Sequence, residues 1–424
     1  MIDLRELKER KEEIETNILN RGMSVDVDHL LLLQQRRLTA LKENERLRTL
    51  RNENALKMKQ KLEASERQIY IEEGKALKEQ IAEAESLFNT IEAEYIELAK
   101  QVPNYAHPSA PIGKLDTDNK ELKTWGKPTE FNFKALDHVE LGEKLDLIDF
   151  ESATRVSGPK FYYLKNEALY LQMALERFAL DILKKHGFTL MMTPDIAKEE
   201  ILEGIGFNPR GDESNIYSLE GTDQCLIGTA EITLGGYYAN TMFKPEDLPI
   251  KLGGLSHCFR REAGAAGQYS KGLYRVHQFS KVEMFVYALP SQSDEIHEQL
   301  LAIEEEIFQA LELPYRVVDT CTGDLGAPAY RKYDIEAWMP GRGESGEYGE
   351  VTSTSNCTDY QARRLNIRYK DESGKTEFLH LLNGTAVATS RAIVAILENF
   401  QQNDHSIRIP KALVPYFGSE LISR

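Results

Sequence analysis

The sequence predicts an α+β protein: an N-terminal arm of two long antiparallel helices, then a body that mixes strands and helices. Three observations predict it. Residues 27–100 contain no proline and a single glycine, Gly74. Residues 259–283, FRREAGAAGQYSKGLYRVHQFSKVE, have two charged, strand-like ends around a Gly/Ala-rich run, as an antiparallel hairpin with a long mobile tip would. Beyond Glu283, strand-like stretches alternate with amphipathic helical ones.

The bounds agree with a soluble, two-domain enzyme-sized chain. It has 424 residues, 41% hydrophobic and 28% charged, enough for a large core. A net charge of −16 argues against nucleic-acid binding by the whole surface, so any RNA contact needs a local basic patch. No uninterrupted apolar run reaches membrane-spanning length. The first residues, MIDLRELKERKEEIE, resemble neither a signal peptide nor a transit peptide, so a cytoplasmic chain without a membrane partner is expected. Cys225, Cys258, Cys321 and Cys357 are dispersed without a CxxC, which suits scattered buried thiols better than a disulfide or zinc site.

In chain order, a short helix is expected from Leu4 to Leu19, ending at Gly22. Two long helices follow. On the second, Leu77, Ile81, Ala84, Phe88, Ile91, Tyr95 and Leu98 step alternately by four and three, a heptad seam. The first is less regular, with Leu30, Leu33, Leu38, Leu41, Leu47 and Leu50. The tip of the helical hairpin falls between about Lys59 and Gly74. Residues 27–64 carry nine Lys/Arg against five Asp/Glu, and residues 65–100 carry four against nine. A solvated coiled coil with interhelical ion pairs accounts for this. So does a basic stripe on the first helix that contacts RNA phosphates.

Residues 103–125 hold three prolines and polar filler and read as a linker. A helix over 165–183 leads to a strand, GFTLMMTP, ended by Pro194. Thr229, Ala230 and Glu231 follow a short apolar run. They read as a helix N-cap with an acid in the first turn, or as a hydroxyl and carboxylate that bind a small polar amino acid.

In the hairpin, alternation puts Arg260 and Glu262 on one face. It aligns Arg275, His277 and Phe279 in another single-faced row, continued by Lys281 and Glu283. Solvated surface charges are one reading. A nucleotide site is the other, since guanidinium forks onto phosphate, carboxylate accepts from an amine, and phenyl stacks on a base. Farther on, a helix with Ile296, Leu300, Ile303 and Ile307 precedes two strands, YRVVD and KYDIEAWM. In YGEVTSTSNC, Glu350 and Ser353 fall on opposite faces of an ideal strand, so a bulge or turn is needed for both to reach one ion. Gly384, Ala386 and Ala388 then alternate as small residues that allow close approach of a ligand. Arg391 opens an apolar helix, at an end suited to phosphate.

Taken together these strings resemble the class II aminoacyl-tRNA synthetases, in their seryl-tRNA synthetase form of bacterial type. The hairpin matches motif 2, FRxEAG…GLxRxHQFxKVE. The helix, strand and Pro194 match motif 1, and residues 383–401 match motif 3. TxE at Thr229–Glu231 and E-[VI]-x-S-x-S-N-C at Glu350–Cys357 are matched as well. The resemblance implies a six- to seven-stranded antiparallel sheet flanked by helices. It implies a tRNA-binding coiled-coil domain over 1–101, a linker over 102–126 and a catalytic domain over 127–424, working as a homodimer. The implied reaction joins serine to tRNA(Ser), with tRNA(Sec) left open, through ATP and a seryl-adenylate. By the same resemblance Arg260, Arg275 and Arg391 are catalytic. Thr229, Ala230, Glu231, Glu283, Asn383 and Thr385 bind serine. Arg260, Arg261, Glu262, Val276, Phe279, Glu350, Val351, Thr352, Ser353 and Arg391 bind ATP, and Glu350 and Ser353 hold Mg²⁺. The competing classes are a related ligase that charges another acceptor, and an inactive tRNA-binding paralogue.

Overall fold

The computed structural model describes residues 1–207, 215–263 and 269–424. Of the loop expected at the hairpin's tip, residues 263–272, residues 264–268 lie outside the described residues. The chain divides into two compact units, Met1–Pro103 and Asn104–Arg424.

The first unit contains α1 (Lys11–Asn20), α2 (Val27–Lys57) and α3 (Ala64–Lys100). α1 begins later than expected, because residues 5–10 form turns. Asp26 caps α2, accepting from the His29 amide at 2.8 Å. The two long helices are antiparallel: His29 meets Glu94, Asn44 meets Ala84 and Asn54 meets Glu73. All seven seam residues on α3 are buried or half-buried. On α2 the stripe differs from the one expected. Leu30, Leu33, Ala40, Asn44, Leu47 and Asn54 are buried and Arg37 is half-buried, whereas Leu38 and Leu50 are exposed. The heptad on α2 is therefore real but partly polar, and leucines alone misplace it. Arg37 fits the seam because its guanidinium pairs with Glu92 and lies over Phe88 and Tyr95. The tip is residues 58–63, and Gly74 lies inside α3.

The second unit contains, in chain order, β1 (Lys120–Trp125), α4 (Glu167–Lys185), β2 (Thr189–Met192), α5 (Glu199–Ile205), α6 (Ala230–Gly236), β3 (Ile250–Phe259), β4 (Gln278–Ala288), α7 (Ser293–Ala310), β5 (Tyr315–Asp319), β6 (Arg331–Met339), β7 (Glu347–Asn356), α8 (Tyr360–Leu365), β8 (His380–Ala388) and α9 (Thr389–Asn399), with shorter pieces between. The eight strands form one sheet in the order β1-β5-β6-β7-β8-β4-β3-β2. Every pairing is antiparallel except β2 with β3. The sheet is thus larger than the six to seven strands expected, and not purely antiparallel. β1 comes from the stretch read as a linker. Its Lys and Glu side chains are exposed along the sheet's edge, where charge opposes edge-to-edge pairing, and that composition hides the strand in the sequence.

β4 shows how the sheet divides labour. Val282, Met284 and Val286 pack into the main core with α4, α7 and α9. Phe285 and Tyr287 join a second cluster with α5, α6 and α8. On that same second face, Phe279 and Lys281 line a pocket, and Glu283 sits buried at its base. Gly235 seats α6 against β4: a Cβ there would fall 2.2 Å from Ile205 Cδ1 and 3.0 Å from Phe285.

Candidate active site

Five chain segments converge on the pocket over β4. The hairpin stems are shorter than expected: β3 ends at Phe259 and β4 begins at Gln278. One further backbone bond, Arg260 N to His277 O at 3.0 Å, extends the pairing. Past it alternation fails. Glu262 takes a left-handed backbone, φ +51°, and both Arg275 and Val276 line the pocket. His277 does not. Its Nδ1 lies 2.7 Å from Arg260 O, and its ring packs near Phe161 and Tyr217.

The hairpin residues are held by one another. Arg260 Nε donates to Gly228 O at 3.1 Å, and its guanidinium lies 5.3 Å over Phe279. Arg275 Nη1 pairs with Glu262 Oε2 at 3.3 Å, and its Nε donates to Tyr269 O. Arg261 is exposed and does not border the pocket.

β7 carries the bulge that the sequence required. Ile335 pairs with Thr352 and Glu336 with Glu350, so Val351 is the extra residue. Glu350, Val351, Thr352 and Ser353 consequently all border the pocket. β8 has a matching irregularity between Thr385 and Val387. The β7–β8 ladder stops at Thr354 and Gly384; beyond it, Thr352 Oγ1 donates to Thr385 O instead. Asn383 and Thr385 face the pocket. The small residues do not serve it as expected: Gly384 stands against Glu304 of α7 and Ala386 lies in the core, and only Ala388 borders the pocket.

Arg391, in the first turn of α9, reaches across to Glu350 at 3.2 Å. Tyr274 braces both: its hydroxyl donates to Glu350 O at 3.2 Å, and its ring lies 4.8 Å from the Arg391 guanidinium. Burial would raise the Glu350 carboxyl, but Arg391, Lys332 and Arg260 outweigh it and hold the group well below the usual carboxylate range.

Two further carboxyls belong to the site, Glu231 in the lining and Glu283 buried beneath it. Thr229 caps α6, its hydroxyl accepting from the Glu231 amide at 3.1 Å. Ala230 is buried in the second core cluster and does not line the pocket. Glu231 does, and burial together with nearby Glu283 pushes its carboxyl up to about 7. Glu283 itself is beneath the lining. It pairs with Lys281 and accepts from Asn383 Nδ2 and Thr385 Oγ1, both at 3.4 Å. Lys281, Tyr274, Phe207 and Ser390 also line the pocket, although sequence reasoning assigns them no role. Alternation with Phe279 and Glu283 is a sufficient signal for Lys281; Phe207 has none.

A donor set for a metal is sparse. Among the described residues no three His, Cys, Asp or Glu cluster as a metal site. All four cysteines are free and buried.

A sheet of this order with a hairpin, a bulged strand and a helix-borne arginine around one pocket defines the class II aminoacyl-tRNA synthetase core, and residues 217–400 match the family model for the tRNA synthetase class II core domain (G, H, P, S and T). Residues 1–106 match the seryl-tRNA synthetase N-terminal domain. The serine–tRNA ligase of Treponema denticola is 61% identical over all of both chains, and that of Borrelia recurrentis is 55% identical over 100% of this chain and 99% of its own. The chain belongs to the seryl-tRNA synthetase family. Its fold is similar to the seryl-tRNA synthetase of Pyrococcus horikoshii complexed with ATP (TM-score 0.89, 41% identity, 100% of this chain and 99% of that one). It is also similar to the cytoplasmic serine–tRNA ligase of Naegleria fowleri in complex with AMP (TM-score 0.85, 31% identity, the same coverage).

Proposed function

We infer that this chain activates serine with ATP and transfers it to tRNA(Ser). The observation that carries the reading is one pocket that gathers the guanidiniums of Arg260, Arg275 and Arg391 with the Glu231 carboxyl, over buried Glu283. That set suits the two substrates: guanidiniums for a polyphosphate, carboxylates for an ammonium.

The serine carboxylate attacks the α-phosphorus and pyrophosphate leaves. No protein nucleophile is required, so the residues act by positioning and by neutralising charge. Arg260, fixed by Gly228 O and Phe279, stabilises the α-phosphate as charge builds. Phe279 stacks on adenine, Glu262 accepts from its amine, and the Val276 backbone bonds it. Arg275 and Arg391 grip the terminal phosphates. Glu231 and Thr229 receive the serine ammonium, while Glu283, Asn383 and Thr385 form the end of the pocket that bonds the hydroxyl. A site built to bond a hydroxyl rejects the analogue that lacks it by about 10⁴–10⁵.

Glu350 and Ser353 offer one carboxylate and one hydroxyl at the bulge. That set fits Mg²⁺, which takes oxygen ligands and leaves several positions to phosphate and water. When bound, the ion neutralises phosphate charge.

The arm, with the α2–α3 pair of about 50 Å at ~1.5 Å per residue, is the tRNA-binding part. A tRNA(Sec) presenting the same features is charged by the same steps. The protein acts as a homodimer in the cytoplasm. Leu169, Tyr170 and Met173 on α4 and Met192 on β2 expose large apolar side chains, Met192 to 80%, and a second copy covers them. No helix of the described residues is long and apolar enough to cross a membrane.

The test is ATP-dependent attachment of labelled serine to tRNA(Ser). Charging supports the reading. Adenylate formation with no transfer to tRNA favours a ligase for another acceptor, and tRNA binding without adenylate favours an inactive paralogue.

A further inference from the structure

We infer that Gln361, which does not itself line the pocket, is the positioning residue of the ammonium end: its carboxamide presents Glu231 to the substrate. The inference rests on the reading of Glu231 as an ammonium acceptor.

Gln361 lies on α8 and is fully buried. Its Nε2 donates to Ile205 O at 3.0 Å and to Glu231 Oε1 at 2.8 Å. A backbone carbonyl can only accept, so Ile205, at the end of α5, dictates which end of the amide faces it. The second amide hydrogen is then committed to Glu231. One carboxylate oxygen is occupied and the other is left for an incoming donor. The Gln361 Oε1 is buried with no partner among the described residues. A buried unpaired acceptor is costly, and an apolar side chain of this size would fill the space without it. The donor to Glu231 is what the glutamine adds.

The charged surroundings of Glu231 make that donor matter. Glu283 and Lys281 approach from β4, Arg260 from the end of β3 and Gln361 from α8. Burial and Glu283 favour the neutral acid; Gln361, Lys281 and Arg260 favour the carboxylate. Only the carboxylate forms an ion pair with an ammonium. Withdrawing the Gln361 donor therefore both frees the side chain to rotate and leaves it protonated to higher pH.

The experiment measures KM for serine and for ATP by pyrophosphate exchange from pH 6 to 9. The variants are Gln361→Met, Gln361→Glu and, in parallel, Glu231→Gln. Loss of a hydrogen bond to a charged group predicts a serine KM raised roughly 10- to 100-fold at pH 7 for Gln361→Met. The ATP KM stays within a few-fold, and the acid limb of the serine profile moves to higher pH, so that raising the pH recovers part of the loss. Gln361→Glu preserves shape, guards against a packing failure in the methionine variant, and shifts the limb further. If Glu231→Gln raises the serine KM but both Gln361 variants leave it and the pH limb in place, the positioning role is wrong. It is equally wrong if serine and ATP KM rise together with the limb unmoved, which is what a purely structural residue gives. If Glu231→Gln leaves the serine KM unchanged, the ammonium reading of Glu231 fails instead.

Discussion

Arg391 and Glu350 are paired across the pocket: Nη1 of Arg391 lies 3.2 Å from Glu350 Oε1 and 3.1 Å from the Glu350 carbonyl oxygen. A bulged strand and the first turn of a helix bring the two together. Each neutralises the other in the free protein. Glu350 would hold the proposed Mg²⁺ and Arg391 the proposed phosphate, two attractive pairs in place of one.

Glu350→Gln should break that exchange. It keeps the side-chain shape and removes the charge, so Arg391 loses its counter-charge and the proposed metal would lose its carboxylate ligand. Pyrophosphate exchange should fall by about 10²-fold or more, the scale of losing one group that stabilises transition-state charge. ATP binding measured in EDTA should be no weaker than in the parent. Exchange at the parental rate would remove Glu350 from the phosphate end of the site.

Arg260→Lys should lose most of the adenylation rate with little change in serine binding. Lysine keeps the charge but neither the fork that holds Gly228 O and is proposed to reach the phosphate nor the flat group over Phe279. The interaction strengthens as the transition state forms, so kcat carries the loss. A raised serine KM at unchanged kcat would contradict the α-phosphate role.

Serine binding should weaken in acid. The Glu231 carboxyl is pushed up to about 7, by burial first and Glu283 second. In the free protein this raised value favours the folded state at low pH, and that contribution is lost as pH rises from the ordinary carboxyl value through 7. The ammonium requires the ionised form. Serine should therefore raise the melting temperature more at pH 8 than at pH 6. Equal shifts at both pH values would separate Glu231 from the ammonium.

Deleting residues 27–100 should leave pyrophosphate exchange within a few-fold of the parent and abolish tRNA charging. None of the proposed ATP or serine ligands lies there. Neutralising Arg46, Arg48 and Arg51 together should weaken tRNA binding and flatten its salt dependence, by about one unit of slope for each phosphate no longer neutralised. Arg46 pairs with Glu43 and Arg48 with Glu85 on the arm's surface. Exposed pairs of this kind contribute little stability, so the arm itself should survive the change. Normal charging by the deletion variant would make the helical hairpin structural only.

Legibility in the sequence follows physical type. The α3 seam is readable because every position in it is apolar or aromatic. The α2 seam is not, because Arg37, Asn44 and Asn54 occupy it and find partners on α3 that periodicity cannot foresee. The need for a bulge between Glu350 and Ser353 follows from strand alternation; its position at Val351 does not. β1 is hidden because an edge strand survives by being charged. Adjacency to true lining residues suggests Arg261 and Ala230 for the site, and neither lines it. Gln361 carries no local signal at all: its meaning depends on a fold that brings α8 and α6 together.

In the proposed reaction one pocket binds ATP through Arg260, Arg275 and Arg391 and selects serine through Glu231 and Glu283. ATP–pyrophosphate exchange with each of the twenty amino acids in turn tests it most directly. Exchange that depends on serine, with alanine, glycine and threonine far behind, is the predicted result. Equal or faster exchange with any of those three would contradict it, while leaving the class II fold untouched.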